Sequence, residues 1–204
     1  KIQAYEIGYK YSAGSLALDM ATYYYDYQDL QIASFDGPRS LIQNAADSEI
    51  YGAEAQLRYA IIADLELSIG AAYTHGEYEN FDKSQLWTQC LDLSACVGSY
   101  GIFVVSYTDA SGLEMQRTPE YSGNVGISYT TRVSGGALNL SGTLYYTSDF
   151  YFDTSEQFAQ DGYELLSLRA EWTDPSERYT LAVFGDNLTD EEYNVAFRPA
   201  GARP

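Results

Sequence analysis

Basic residues are scarce in this chain, with 11 Lys and Arg against 29 Asp and Glu over 204 residues and a formal charge of −18. A surface that acidic repels a phosphate backbone, which excludes nucleic acid as a partner. Long apolar runs are missing as well. Even Ile61-Ile62-Ala63 is cut off at once by Asp64, and no run of about 18 apolar residues exists from which a membrane helix could be built. The start at Lys1 shows none of the basic, apolar and small-residue regions of a signal peptide, so an export route is not visible in the sequence. Groups that carry chemistry are few. There is one histidine, His75, and there is no Gly-x-Ser-x-Gly elbow, His-Glu-x-x-His, glycine-rich phosphate loop or Cys-x-x-Cys. Neither an enzyme nor a cofactor or metal centre is expected.

What the chain has in abundance is tyrosine, 21 residues of it, within a composition that is 46% hydrophobic. That richness excludes disorder. The apolar residues alternate. Leu16, Leu18, Met20, Thr22 and Tyr24 share one parity, as do Tyr51 through Tyr59, Leu65 through Tyr73, Tyr121 through Tyr129 and Leu138 through Tyr146. Polar or small residues fill the other parity, as with Glu54, Gln56 and Arg58. A period of two marks strands with two different faces. Weaker versions lie at Tyr5–Tyr11, Leu166–Trp172 and Tyr179–Val183, which brings the expected strands to about eight.

The connections alternate in length. Short turns fall at 12–15, around 62–64, at 133–136 and at 173–177, while long polar stretches occupy 30–46, 79–117 and 153–162. Antiparallel strands with short turns at one end and long loops at the other are strung like an outer-membrane barrel. With the short turns placed at the bottom, Tyr24, Tyr51, Tyr73, Tyr121, Tyr146 and Tyr163 fall at upper strand ends. Tyr11, Tyr59, Tyr129, Trp172 and Tyr179 fall at lower ends. Such belts are expected where amphipathic rings meet both membrane interfaces. Tyr163 and Trp172 have opposite parity, which predicts either a bulge in that strand or a different strand boundary.

Four segments resemble the C-terminal half of the barrel of TonB-dependent outer-membrane receptors. Asn44-Ala45-Ala46 through Tyr51-Gly52-Ala53-Glu54 is similar to a strand start after an extracellular loop. Asp161–Arg169 is similar to the strand before the last hairpin, and Tyr23–Leu30 fits the same order. The sharpest likeness is Phe184-Gly185-Asp186-Asn187-Leu188-Thr189-Asp190-Glu191-Glu192-Tyr193, which resembles the penultimate strand and its exit. The resemblance implies an all-β, antiparallel transmembrane barrel segment with long extracellular loops and short periplasmic turns. It also implies an outer-membrane location with lipid as a partner, and active uptake of a scarce nutrient such as siderophore-bound iron, cobalamin or an oligosaccharide. Coupling to TonB would run through a plug domain. The family's barrel has about 22 strands, so residues 1–204 are expected to be part of one barrel domain, without its plug and last strand. Two other readings compete, a small barrel serving as adhesin or anchor, and a soluble carbohydrate-binding β-sandwich whose stripes face a core.

Ligand capture would fall to the long loops and the upper lumen, where Phe35, Arg39, Trp87, Phe103, Tyr107, Phe150, Tyr151 and Phe152 offer rings and a cation. For Phe150–Phe152 the competing reading is a thicker upper belt. Cys90 and Cys96, in the longest loop, read as a local disulfide outside the cytoplasm. The inner parity carries Glu6, Lys10, Asp19, Glu54, Arg58, Glu66, Arg169 and Glu171. These would form either a cross-strand network in the wall or partners for a plug. Asp26/Asp29 and Asp186/Asp190/Glu191/Glu192 fit either calcium ligands or solvated strand ends.

Overall fold

A computed structural model describes residues 1–36, 39–89 and 103–197; side chains of 33–41, 43–45, 89 and 103 fall outside the description. Among the described residues there are twelve strands: β1 (Ile2–Ala13), β2 (Leu16–Asp36), β3 (Arg39–Ile62), β4 (Leu65–Asn80), β5 (Ser84–Gln89), β6 (Phe103–Thr108), β7 (Tyr121–Val133), β8 (Gly136–Thr147), β9 (Phe150–Tyr151), β10 (Ala159–Gln160), β11 (Tyr163–Thr173) and β12 (Thr180–Gly185). Eight of them form one antiparallel sheet in the order β1-β2-β3-β4-β7-β8-β11-β12, and β5-β6 and β9-β10 form two small hairpins. The eight alternating segments of the sequence are the eight strands of this sheet. It is open, with β1 and β12 as its edges.

Register fixes which residues share a face. Leu67 pairs with Ile127, Ile69 with Val125 and Leu140 with both Tyr129 and Ala170, so the apolar parity of every strand faces one way. That face is bare: Ile7 is 78% exposed, Val125 47% and Ile127 50%. No second sheet packs on it among the described residues, so the sandwich reading is wrong. An exposed apolar stripe is what the outer face of a membrane wall would present. Tyr5 and Tyr24, Tyr51 and Tyr73, and Tyr73 and Tyr121 lie with ring centroids 6.4, 6.5 and 5.3 Å apart, forming an upper belt across adjacent strands. At the lower edge the Trp172 indole crosses Gly136 and donates to the Val133 carbonyl at 3.0 Å. A side chain at Gly136 would strike that indole, its Cβ coming 2.7 Å from Nε1.

The turns at the lower end follow from their residues. Ser134 and Gly135 both have positive φ, 54° and 81°, as a tight two-residue hairpin demands. In the 174–179 turn, Asp174 Oδ1 accepts from the Arg178 and Tyr179 amides at 2.9 and 2.7 Å, and Oδ2 accepts from the Ser176 amide at 3.0 Å. These bonds hold its carboxyl below the usual carboxylate range, the Ser176 side chain contributing most.

Three expectations need correction. Stretch 30–46 is largely strand: β2 and β3 stay paired from Leu30–Ala46 up to Asp36–Arg39, with register shifts near Leu30. Above the membrane a hairpin needs no apolar stripe, so alternation faded although pairing continued. The bulge in 163–172 is absent, because β11 and β8 pair without interruption from Tyr163–Thr147 to Thr173–Ala137. Tyr163 simply lies on the inner face, with Leu165, Ser167 and Arg169. The inner charges, finally, form no cross-strand ion pairs among the described residues. Arg169 bonds Glu171 on its own strand, and its guanidinium lies over the Phe184 ring.

Candidate ligand-capture site at the upper rim

Above the belt the long connections fold into a cap. Its apolar centre is Tyr78, Phe81, Ala46 and Ala110, all buried, with Leu30, Ile32, Leu113 and Met115 packed around them. Residues 110–115 run beside the upper half of β4. The Tyr78 amide donates to the Leu113 carbonyl at 3.0 Å, the Gly112 amide to the Tyr78 carbonyl at 2.7 Å and the Met115 amide to the Gly76 carbonyl at 2.9 Å. Burial pushes the Tyr78 phenol up to about 12. The 79–117 loop is therefore tied to the sheet at its base, with the β5-β6 hairpin projecting from it.

The connection from β8 to β11 clasps that hairpin. Asp153 shapes it by accepting from the amides of Ser155, Gln157 and Phe158 at 3.2, 3.1 and 2.9 Å. The Gln157 carboxamide then takes the place of a neighbouring strand. Its Oε1 accepts from the Trp87 amide at 2.7 Å, and its Nε2 donates to the Trp87 carbonyl at 2.9 Å. Ser84 Oγ and Thr154 Oγ1, both buried, sit 2.5 Å apart, and Ser155 Oγ donates to the Gln85 carbonyl at 3.0 Å. On its other flank the same connection holds the segment after β12. Gln160 Oε1 accepts from the Asn194 amide at 2.8 Å, Phe158 stacks on Phe197 at 3.7 Å and Tyr163 stacks on Tyr193 at 4.5 Å.

The family-like motifs shape these contacts. Asn187, at φ 51°, accepts from the Glu191 amide and donates to its carbonyl, both at 2.9 Å. The Leu188 amide still donates to Leu166, and Asp190 follows with positive φ. Leu188-Thr189-Asp190 thus turns the chain off the sheet and brings Tyr193 onto the inner-facing Tyr163. At the other motif, Gly52 leaves room for Tyr23 to cross from β2 and meet Thr74 Oγ1 on β4 at 2.7 Å. A Cβ at Gly52 would sit 2.5 Å from the Tyr23 hydroxyl and 2.3 Å from the Tyr73 carbonyl oxygen. Tyr51 faces outward opposite His75, rings 4.9 Å apart, and Glu54 faces inward.

The capture candidates from the sequence divide. Trp87 is half-buried and Tyr107, on the partner strand of the same hairpin, is 59% exposed. Phe150, Tyr151 and Phe152 begin the clasping connection; Phe150 and Phe152 meet edge to face at 5.3 Å, and Phe152 is buried. The last ring packs the cap rather than facing a ligand. The side chains of Phe35, Arg39, Phe103 and Asn44 lie outside the description, as do Cys90 and Cys96 with their expected disulfide. The acidic runs do not gather: among the described residues no three carboxylate, imidazole or thiol groups converge as a metal ion would need.

Two features escaped the sequence reading. One is the set of inward tyrosines: Tyr23 and Tyr25 stacked at 5.2 Å, and Tyr145 beside Tyr163 at 6.3 Å. The parity of Tyr23, Tyr25 and Tyr145, opposite to that of the belt residues Tyr24 and Tyr146, marks them in the sequence, and only Tyr163 is assigned there to a belt. The other is Arg117, whose guanidinium lies over Phe152, 5.5 Å from the ring centroid. Carboxylates crowd this region. Glu114 is held above the usual range by burial and then by Glu156, Asp149 and Glu120, with His75 as the opposing cation. Glu156 first, with Glu114 and Asp149, also raises Tyr151.

Comparison with known proteins places this geometry. The chain is 25% identical over 191 residues to the pesticin receptor of Yersinia pestis, an overlap covering 94% of this chain and 24% of that protein. Among solved structures it superposes on the ferric yersiniabactin uptake receptor FyuA of Yersinia pestis with TM-score 0.75, at 19% identity over 98% of this chain and 27% of that one. The siderophore receptor PiuA of Acinetobacter baumannii gives 0.69 at 21% identity, covering 94% and 25%. The chain thus spans about a quarter of the relatives it matches. The family model of the TonB dependent receptor-like β-barrel matches residues 1–188. An open sheet with a bare apolar face, aromatic belts and a folded upper cap is what a section of such a wall requires, and the chain belongs to this family of outer-membrane receptor barrels.

Proposed function

We propose that this chain is the C-terminal portion of the barrel of a receptor that takes up a ferric siderophore, with TonB driving transport through a plug domain. Its role in that receptor is to carry part of the capture rim. The observation that supports this reading most is the cap. Loops that merely joined strands would have no need of a shared apolar core, a glutamine clasp and stacked rings bridging three connections. A rim built that way presents Trp87, Tyr107 and Phe150 on a fixed scaffold, and aromatic faces suit a chelate with rings of its own. Relatives named for ferric yersiniabactin and for siderophores support an iron chelate over cobalamin or an oligosaccharide. The chemistry is binding and passage, with no covalent step.

The test is uptake of radioactive ferric chelates by cells that depend on the full-length receptor, under iron limitation. Accumulation that requires both the receptor and TonB is expected. Unchanged accumulation after deletion of the receptor across a panel of siderophores would refute the reading.

A further inference from the structure

We propose that Arg117 is the anion-recognising group of the capture rim, and that the ligand therefore carries a free carboxylate or phenolate oxygen beside its aromatic portion. This rests on the reading of the rim as a capture site. The case begins with the backbone. Arg117 sits at φ 60°, a left-handed conformation that a non-glycine residue adopts at a cost. It is held there because its amide donates to the Tyr151 carbonyl at 2.7 Å. The anchored turn fixes where the side chain leaves the backbone.

The side chain has an unusual environment for a cation in so acidic a chain. Arg117 is exposed, yet no carboxylate lies within ion-pair distance of it among the described residues. Glu114, Asp149 and Glu156 are close enough to Tyr151 to perturb its phenol, but the cation that tempers Glu114 is His75 rather than Arg117. What Arg117 does touch is the face of Phe152. That ring is buried and packed edge-on against Phe150, which fixes its position. A guanidinium lying on a fixed ring keeps its planar fork of N–H donors free at its edge. Stacking also lowers the entropy lost when the fork engages an anion. The result is a preorganised receptor for one carboxylate or phenolate, with Phe150 next to it to meet an apolar portion. The surrounding negative field selects against ligands of high negative charge and leaves the single fork as the point where one anionic group is accepted.

The test uses the full-length receptor and two synthetic ferric chelates that share a salicylate-type ring, one with a free carboxylate and one with that group converted to its primary amide. R117Q keeps a polar, hydrogen-bonding side chain and the backbone cost while removing the charge; R117K keeps charge without the flat fork; F152L removes the platform. Folding of each variant is checked by the mobility shift of the unheated barrel. The wild type is expected to prefer the carboxylate chelate by roughly ten- to hundredfold, the range of a charge-assisted hydrogen-bond pair. R117Q should lose that preference without weaker binding of the amide, while R117K and F152L should keep part of it. Equal preference in wild type and R117Q overturns the assignment of Arg117 and leaves the capture rim standing. Binding of neither chelate by the wild type removes the capture reading and this inference together.

Discussion

The lipid-facing stripe makes the most demanding prediction, and Val125 is its centre. On β7 the stripe runs from Tyr121 in the upper belt to Tyr129 in the lower one, with Val125 four residues from each. Eight residue steps span roughly 26 Å at about 3.3 Å each. A tilt of roughly 40° leaves about 20 Å of height, so Val125 lies some 10 Å from either interface. Arginine at that depth should cost about 2 to 4 kcal/mol, which shifts the folding equilibrium by about 30- to 700-fold. Ile127, two residues lower, should show an intermediate loss when replaced by Arg. Ser128 is the control. It faces inward and accepts from Asn139 Nδ2 at 3.0 Å, and Asn139 keeps a second partner in Thr130. S128R should therefore lose about 1 kcal/mol, one hydrogen bond. The assay is reversible denaturant titration of the full-length receptor in lipid vesicles. Equal losses for V125R and S128R, or a V125R loss that does not grow from thin to thick bilayers, would show that the stripe does not face hydrocarbon.

Other parts of the structure give shorter tests. Trp172→Phe removes the bond to the Val133 carbonyl and should cost about 1 kcal/mol, read by the same titration; no change would mean the indole is held by lipid alone. Asp174 has a carboxyl held below its unfolded value by the turn's donors. Its stabilisation is present above the unfolded value of about 3.9 and disappears as pH falls through the lower folded value. The wild type and D174N should thus differ in Tyr179 amide exchange at pH 7 and converge in strong acid, whereas a difference that persists in acid would break the argument. Gln157→Ala unclasps the β5-β6 hairpin, and tryptic cleavage after the exposed Lys83, next to the buried Ser84, should accelerate while the barrel stays folded.

The membrane wall was legible because hydrocarbon imposes a rule on every second residue. Leu67, Ile69 and Val125 had to be apolar, and their parity was readable without coordinates. The upper hairpin of β2 and β3 was not legible, since no hydrocarbon there imposes alternation on its residues while the backbone keeps pairing. The cap was harder still. Its clasp depends on a glutamine amide meeting the backbone of a residue 70 positions earlier, and nothing local in Gln157 announces that partner. The same holds for Arg117, which reads as a loop cation until Phe152 is placed beneath it.

Tyr163 shows how a misreading can carry information. Its parity conflicted with Trp172 because the ring was assumed to serve the upper belt, and a bulge was the cheapest way to keep both outside. The uninterrupted register leaves no bulge to absorb the conflict, so one of the two rings has to face inward. Tyr163 does, and there it meets Tyr145 on β8 and Tyr193 from the segment after β12. A ring whose parity disagrees with its belt is therefore a marker of the inner wall. Applied to the other strands, the same test picks out Tyr23, Tyr25 and Tyr145, the tyrosines that the inner-facing stacks and the Thr74 hydrogen bond place there.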